Sequence, residues 1–537
     1  MSIRFLCQKT PTMQSSDGSP LGATVPEPPL RCANAKRIGS YALSCRPLAR
    51  STTSPNRAWT ERSPARGLLG LAAVLGAACQ SYSPIPLELD ARLEAVNSRL
   101  GDFAEHGRFI DLLADSGQQH PDRLDVTDGV TLPEGEVLAL FYNANLRVAR
   151  LEAGVGLAGF ENAGLWQDPV FGFDAAQVLT PGNDFEYGAT LGLTLPVSGR
   201  LAVQKARAGA AYDVQLRRIV DAEWRLRITL RQAWYEWTAA ERRRQLLEGV
   251  IEQVERIGAI AARLEEAGAM READERLIRI ELVGRRAELT AARLASSQVR
   301  VRLLWMMGLP PDALLDLRAV QSLPAPPTEG DFVERVVAAN TELAVLQSEY
   351  RVAEESLRLA VRKQYPDVGI GAGYGSEDED RRVLFGFSFP IPLLNRNRAE
   401  IAATRARREV ARGTVETALE RIVREARQVE LALDATREQR GQLADELVPL
   451  LNEQSNNIEE LAELGDVDTF LLLETVGRQF SAQSRLIALE QAESEAAASL
   501  ALLLGPPNQP SPTSTDDISL PPSGVQAVGA SIEEPSR

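Results

Sequence analysis

The stretch VLFGFSFPIPLLNRNRAEIAATRA, residues 383–406, changes character halfway. Val383, Phe385, Phe387 and Phe389 alternate with Leu384, Gly386 and Ser388, the two-residue period of a strand with one apolar face. Beyond Pro390 and Pro392 the chain turns Ala- and Arg-rich at helical spacing. A phenylalanine-faced strand therefore runs directly into a long charged helix.

The same succession occurs earlier. GLTLP (192–196) precedes a long charged segment and matches GFSFP (386–390) at an offset of 194. Four further anchors share an offset of 197: NANL (143–146) with NTEL (340–343), DPVFGFDA (168–175) with YPDVGIGA (365–372), LEEAG (264–268) with LAELG (461–465), and LLWMMGLP (303–310) with LALLLGPP (500–507). Pro169/Pro366, Gly172/Gly369, Gly268/Gly465 and Gly308/Gly505 keep that register, which describes a duplicated unit. The expected organisation is an N-terminal extension (1–60), a signal peptide (61–78), an N-terminal linker (79–136), a first repeat (137–310), an inter-repeat linker (311–331), a second repeat (332–507) and a disordered tail (508–537).

Each unit predicts one order of elements. A helix, about 137–165 or 332–363, ends near Pro169 or Pro366. Two strands follow, joined by turn-rich TPGND (180–184) or GSEDED (375–380) and closed by Pro196 or Pro390. Then come a very long helix, a break at Gly268 or Gly465, and a returning helix that ends at Gly308 or Gly505.

The strands carry the fold. Phe171, Phe173 and Ala175 alternate with Gly172 and Asp174, and Leu191, Leu193 and Leu195 with Gly192 and Thr194. Ile370, Ala372 and Tyr374 alternate with Gly369, Gly371, Gly373 and Gly375. Glycine leaves little to pack in a water-soluble core, and an isolated hairpin is marginal in water. Membrane-barrel strands account for the pattern better, with the apolar face toward lipid and the small or polar face toward a water-filled lumen. Four strands cannot close a barrel, and hydrocarbon forbids an open edge. Three copies would supply twelve strands, within the range of such barrels. The long helices add reach, since residues 200–265 would span about 100 Å. Leu226, Leu230, Ala233, Trp237 and Ala240 keep heptad spacing there, and ERRRQ (241–245) reads as a solvated face. The expected fold class is mainly α with a small transmembrane β part: a trimeric twelve-stranded β-barrel, four strands per chain, continuing into a long α-helical barrel.

Composition agrees with an elongated, exported protein. No stretch approaches the 18–20 uncharged apolar residues of a transmembrane helix. All four cysteines lie at or before Cys79, so no disulfide framework or cysteine metal site exists beyond it. RSPARGLLGLAAVLGAAC (62–79) has Arg62 and Arg66, a short apolar core and small residues before Cys79. It resembles a bacterial lipoprotein signal, which would make Cys79 the lipidated first residue, although Leu75 stands four rather than three positions before it. Ordinary cleavage near Ala78 is the alternative. Gln80, in place of an aspartate, implies outer- rather than inner-membrane sorting. Residues 1–78 hold ten basic and three acidic side chains, net +7, which leaves −22 on the rest of a chain with formal charge −15. That balance excludes a general polyanion binder such as a nucleic-acid protein and favours cations.

On these motifs, over roughly residues 130–507, the sequence resembles the TolC-like outer-membrane efflux proteins. PIPLLNRNRAEIAATRA (390–406) and LPVSGRLAVQKARA (195–208) are most similar to the heavy-metal, cobalt–zinc–cadmium branch. The resemblance implies a homotrimer whose barrel sits in the Gram-negative outer membrane, contacts its lipid and extends into the periplasm as a helical tunnel. It further implies a passive conduit of a tripartite efflux system, fed by a periplasmic adaptor and an inner-membrane pump, with heavy-metal cations or drugs as cargo. In that family the tunnel narrows, and the adaptor docks, at the helical turns. Asp274 stands six residues after Gly268, where the family places an acid; Leu471 holds the corresponding position after Gly465. Glu474 matches a second family acid nine after the glycine, and Asp466 and Asp468 lie near the same turn. The family's aromatic three before the glycine is Ala462 here. Each of these acids also fits a solvated helix end.

No enzyme constellation is present. His106 and His120 are the only histidines, which excludes most histidine metal centres and histidine triads. GIGAGYG (369–375) does not fit a dinucleotide-binding GxGxxG, and no Walker lysine follows. Glu377, Asp378, Glu379 and Asp380 read as a turn. No cofactor is implied. Two alternatives remain: an outer-membrane conduit for type I protein secretion, and, from a different class, an exported periplasmic coiled-coil scaffold or adaptor.

Overall fold

A computed structural model describes residues 82–99, 109–110, 126, 128–177, 179, 185–320, 332–377, 380–463 and 468–507. Residues 82–86 belong to one unit and carry no regular structure; everything below concerns the second unit, Leu87–Arg537. Cys79, both histidines, Gly465 and Asp466 lie outside the described residues, as do the TPGND turn and Asp378 and Glu379.

After a short helix α1 (Leu89–Asn97), two helices α2 (Leu132–Tyr142) and α3 (Ala144–Glu161) lead to strands β1 (Val170–Gln177) and β2 (Phe185–Leu195). A 67-residue helix α4 (Arg200–Glu266), about 100 Å long at 1.5 Å per residue, and the returning α5 (Glu272–Met306) complete the first half. The second half repeats this order with α6 (Phe332–Ala339), α7 (Thr341–Arg362), β3 (Val368–Glu377), β4 (Asp380–Ser388), α8 (Arg398–Gln442), a π segment Leu443–Leu447, α9 (Val448–Glu463) and α10 (Thr469–Leu504).

One expectation needs correction in each half. The helices expected across about 137–165 and 332–363 are each broken, at Asn143 and Asn340. Each asparagine leaves helical geometry and caps the following helix, its Oδ1 accepting from the amides of Asn145 and Leu146, or of Leu343. Its Nδ2 donates to the end of the returning helix: Asn143 to the Met306 carbonyl at 2.9 Å, Asn340 to the Leu503 carbonyl at 2.7 Å. Helical periodicity conceals such a break, because asparagine is tolerated within a helix as well as at its cap.

The glycines that end the returning helices explain why the junction is this tight. Gly308 (φ 69°) and Gly505 (φ 77°) have positive φ, which favours glycine. A Cβ on Gly308 would lie 2.5 Å from the Tyr142 carbonyl oxygen, and one on Gly505 would overlap the Ala339 carbonyl. The main core surrounds the first junction: Leu138, Leu230, Trp234, Leu303, Leu304 and Met307 are fully buried, and Trp234 donates its indole N–H to the Arg318 carbonyl at 2.9 Å. The start of the inter-repeat linker joins this core through Ala313 and Leu315, held by Val130–Asp316 and Arg318–Val130 backbone bonds of 2.8 Å.

The second long helix is not uniform. Pro449 has no N–H to offer the Asp445 carbonyl, and the backbone widens just before it: the Val448 amide bonds Leu443 five residues back. The first long helix has no such segment.

The helix-end glycines yield a testable contrast. Gly308→Ala and Gly505→Ala should each destabilise by roughly 2 kcal/mol or more, from positive-φ strain plus overlap. Gly249→Ala, mid-helix in open space, should be neutral or stabilising by up to about 1 kcal/mol. Denaturant midpoints of the helical circular-dichroism signal in detergent measure both; equal midpoints for all three variants would refute the assignment.

Candidate functional site: sheet, junctions and helical turns

The four strands, of 8, 11, 10 and 9 residues, form one antiparallel sheet in the order β1-β2-β3-β4. Register sorts the side chains into two unlike faces. Across the ladder Phe171 opposes Leu191, Leu191 opposes Ala372 and Ala372 opposes Phe385; the neighbouring row is Phe173, Ala189, Tyr374 and Val383. The other face reads Gly172, Thr190, Gly373 and Leu384 in one row, and Val170, Gly192, Gly371 and Gly386 in the next. None of the described helices covers the apolar face: Phe171, Phe385 and Phe387 are 68%, 83% and 77% exposed. The sheet also has two open edges, since β1 and β4 have no second partner among the described residues.

Prolines bound every strand. Pro169 directly precedes β1 and Pro196 directly follows β2, while Pro366 and Pro390 stand two residues outside β3 and β4. None removes a ladder bond. After each pair the chain enters its long helix through a left-handed cap, Gly199 (φ 67°) in the first half and Asn397 (φ 53°) in the second. Asn397 meets the cost of that conformation with a 2.8 Å bond from its Nδ2 to the Ala360 carbonyl.

At the far end of the long helices, the first turn and the described residues that follow the second share one cluster. Met270 of the first turn and Leu472 and Leu473 beside the second pack with Val254, Ile257, Ile278, Val476 and Phe480. Gly268 (φ 73°) closes the first turn, where the Ala269 amide reaches back to the Leu264 carbonyl at 2.7 Å. The described carboxylates among those named from sequence each have a local partner. Asp274 accepts from Arg271 at 2.8 and 3.1 Å, which holds the Arg271 guanidinium above its ordinary pKa. Glu474 accepts from Arg478 at 2.7 Å. Asp468 caps α10, accepting the amides of Phe470 and Leu471 at 3.0 and 3.1 Å. Among the described residues no hydrogen bond or ion pair joins Asp274 to Asp468 or Glu474, and Gly465 and Asp466 lie outside them.

Sequence reasoning missed the charges inside the bundle. Glu493 is almost fully buried between Arg437 (2.9 Å) and Arg440 (2.7 Å), and Glu136 is buried against Arg231 and Arg227. Arg244 bridges Glu241 and Glu248, and holds the Glu241 carboxyl below the usual carboxylate range. An acidic residue opposite two arginines on a neighbouring helix is invisible until the helices are packed. Among the described residues no group of three or more His, Cys, Asp or Glu could hold a metal ion, and no helix is long and apolar enough to cross a membrane.

The sequence matches no protein-family model and no curated protein. Solved structures do share its fold. The outer-membrane channel OprN is similar with a TM-score of 0.61 and 17% identity, over 70% of this chain and 89% of that one. The Campylobacter jejuni outer membrane channel CmeC is similar at 0.59 and 12%, over 80% and 94%. The open state of the Neisseria gonorrhoeae outer membrane channel MtrE is similar at 0.58 and 18%, over 70% and 88%. A mostly helical chain with one small sheet thus has the fold of outer-membrane channels.

Proposed function

We propose that this protein is the outer-membrane channel of a tripartite efflux system, a passive homotrimeric conduit and a TolC-like efflux protein built from an internally duplicated unit. The observation that carries this reading is the sheet: one exposed apolar face, one glycine-rich face and two open edges. In hydrocarbon each unpaired backbone group costs several kcal/mol, so the edges must be paired by further strands. Three copies supply twelve strands and close a barrel with its glycine-rich face inward.

The helices support the same assembly. On α5, Ile280, Ala287, Leu294 and Val301 recur every seventh residue, as do Gly284, Ala291, Gln298 and Trp305 four positions later. Ile280, Leu294 and Trp305 are exposed on this seam, which suits a helix of a second copy. The paired geometry of positions 197 apart, Asn143/Asn340 and Gly308/Gly505, supports the duplication.

In this reading the turns at Gly268 and Gly465 form the periplasmic aperture and the docking place of the adaptor. Asp274, Asp466, Asp468 and Glu474 line or brace it, and an inner-membrane pump supplies the energy. Opening is a population shift of the long helices toward arrangements the adaptor binds better. The acidic balance beyond residue 78 favours cationic cargo, and the 390–406 motif favours the heavy-metal branch. Cys79 anchors the mature chain by lipid.

Two measurements test this. The protein should stay with the membrane fraction after a carbonate or urea wash and run as a heat-modifiable trimer; complete release as a monomer would instead favour a periplasmic scaffold. Asp274→Ala combined with Glu474→Ala removes two negative charges per chain. Single-channel conductance in planar bilayers should rise, or cation preference fall; unchanged conductance and selectivity would count against the aperture assignment.

A further inference from the structure

The two strand-to-helix junctions are unequal. The capping Gly199 comes three residues after Pro196, whereas Asn397 comes seven after Pro390. The second junction contains Ile391, Pro392, Leu393 and Leu394, and its three aliphatic residues stand 67%, 68% and 95% exposed. They continue the apolar run of β4 past its last ladder pair, Gly369 with Ser388. The Phe387 and Phe389 rings stack 6.4 Å apart just before them. A three-residue turn follows, in which the Leu393 amide reaches the Ile391 carbonyl at 2.9 Å.

Beside this segment lies an open groove of about 450 Å³. Val197, Val368 and Phe389 line it; Val368 pairs with Leu195 on the sheet's apolar face, and Val197 and Phe389 stand just past the ends of β2 and β4. Arg362 and Tyr365, at the end of α7, line it as well. Two nearby cations are ion-paired, Arg200 with Asp367 at 2.7 Å and Lys363 with Glu400 at 2.9 Å, and Arg396 donates to the Pro392 carbonyl at 3.2 Å. The Arg362 guanidinium has no ion-pair or hydrogen-bond partner among the described residues. Val368 opens the central strand β3 and Val197 follows the central strand β2, whereas Phe389 follows the edge strand β4.

We propose that this groove binds one phospholipid of the leaflet nearest the long helices, an assignment that rests on the lipid-facing reading of the sheet. An acyl chain lies along Phe387 and Phe389 into the groove, and Ile391, Leu393 and Leu394 flank it within the leaflet. The phosphate pairs with Arg362, whose planar donors suit phosphate oxygens, and Tyr365 sits at headgroup depth where an amphipathic ring is stable. Inorganic phosphate would gain nothing from the apolar lining, so the groove distinguishes a lipid phosphate from a free one.

Native mass spectrometry of the full-length assembly tests this, after delipidation in detergent, incubation with phosphatidylglycerol and washing. One lipid per chain should be retained. Arg362→Gln should lower retention about tenfold, the loss of one charge-assisted hydrogen bond. Leu394→Ser, at a fully exposed position, should lower it several-fold, and millimolar inorganic phosphate should displace none. Equal retention by Arg362→Gln and the unaltered protein, meaning surface lipid only, overturns the proposal. So does displacement by inorganic phosphate, or a photo-crosslinker at position 394 that captures a second copy of the chain and no lipid. Carbonate washing and conductance of the same proteins separate the two levels. Chains that stay in the membrane and conduct, yet hold no lipid, sink the groove assignment alone; chains that wash off sink the lipid-facing reading with it.

Discussion

Backbone hydrogen bonding at the edge of a sheet is the constraint on which the rest of this structure depends. β1 and β4 each present a row of amides and carbonyls without a second strand. In water such edges are aggregation hazards, and in hydrocarbon they are prohibitive. The sheet's apolar face adds the complementary demand, since phenylalanines, leucines and valines stand uncovered by any of the described helices. Burying that face in lipid while closing the edges with further copies satisfies both demands at once. Glycines on the opposite face leave room for a lumen, where a soluble sandwich would need bulk.

The helical part solves a different problem, how to hold helices of about 100 Å in register with so thin a core. It does so at a few fixed points. Asn143 and Asn340 tie the start of each half to its end, and Gly308 and Gly505 allow an approach that no side chain would permit. Between these points the buried stripes are narrow, and paired charges such as Glu493 with Arg437 and Arg440 lie within the bundle. A buried pair contributes little net stability, but separating its partners is costly, so it resists sliding of one helix past another. The π segment beside Pro449 places the one irregularity of the described long helices in the second half alone.

The helical turns illustrate a division of labour among carboxylates. Asp468 is committed to capping α10, whereas Asp274 and Glu474 pair with arginines of their own helices, pairs that screen and reorganise readily. Sequence places all three near a turn glycine, and only their partners show what each does.

The sequence by itself determined the order of elements, the strand parity and the positions of the breaking prolines and glycines. Those follow from short-range sterics and from a side-chain period that any strand must obey. It also raised the expectation of further copies, because edges can be counted before they are seen. Only the tertiary structure decided where the first helix of each half breaks, which arginine meets which buried glutamate, and which side chains line the groove beside Arg362. Each of these depends on residues far apart in the chain reaching one place, and local periodicity carries no information about that.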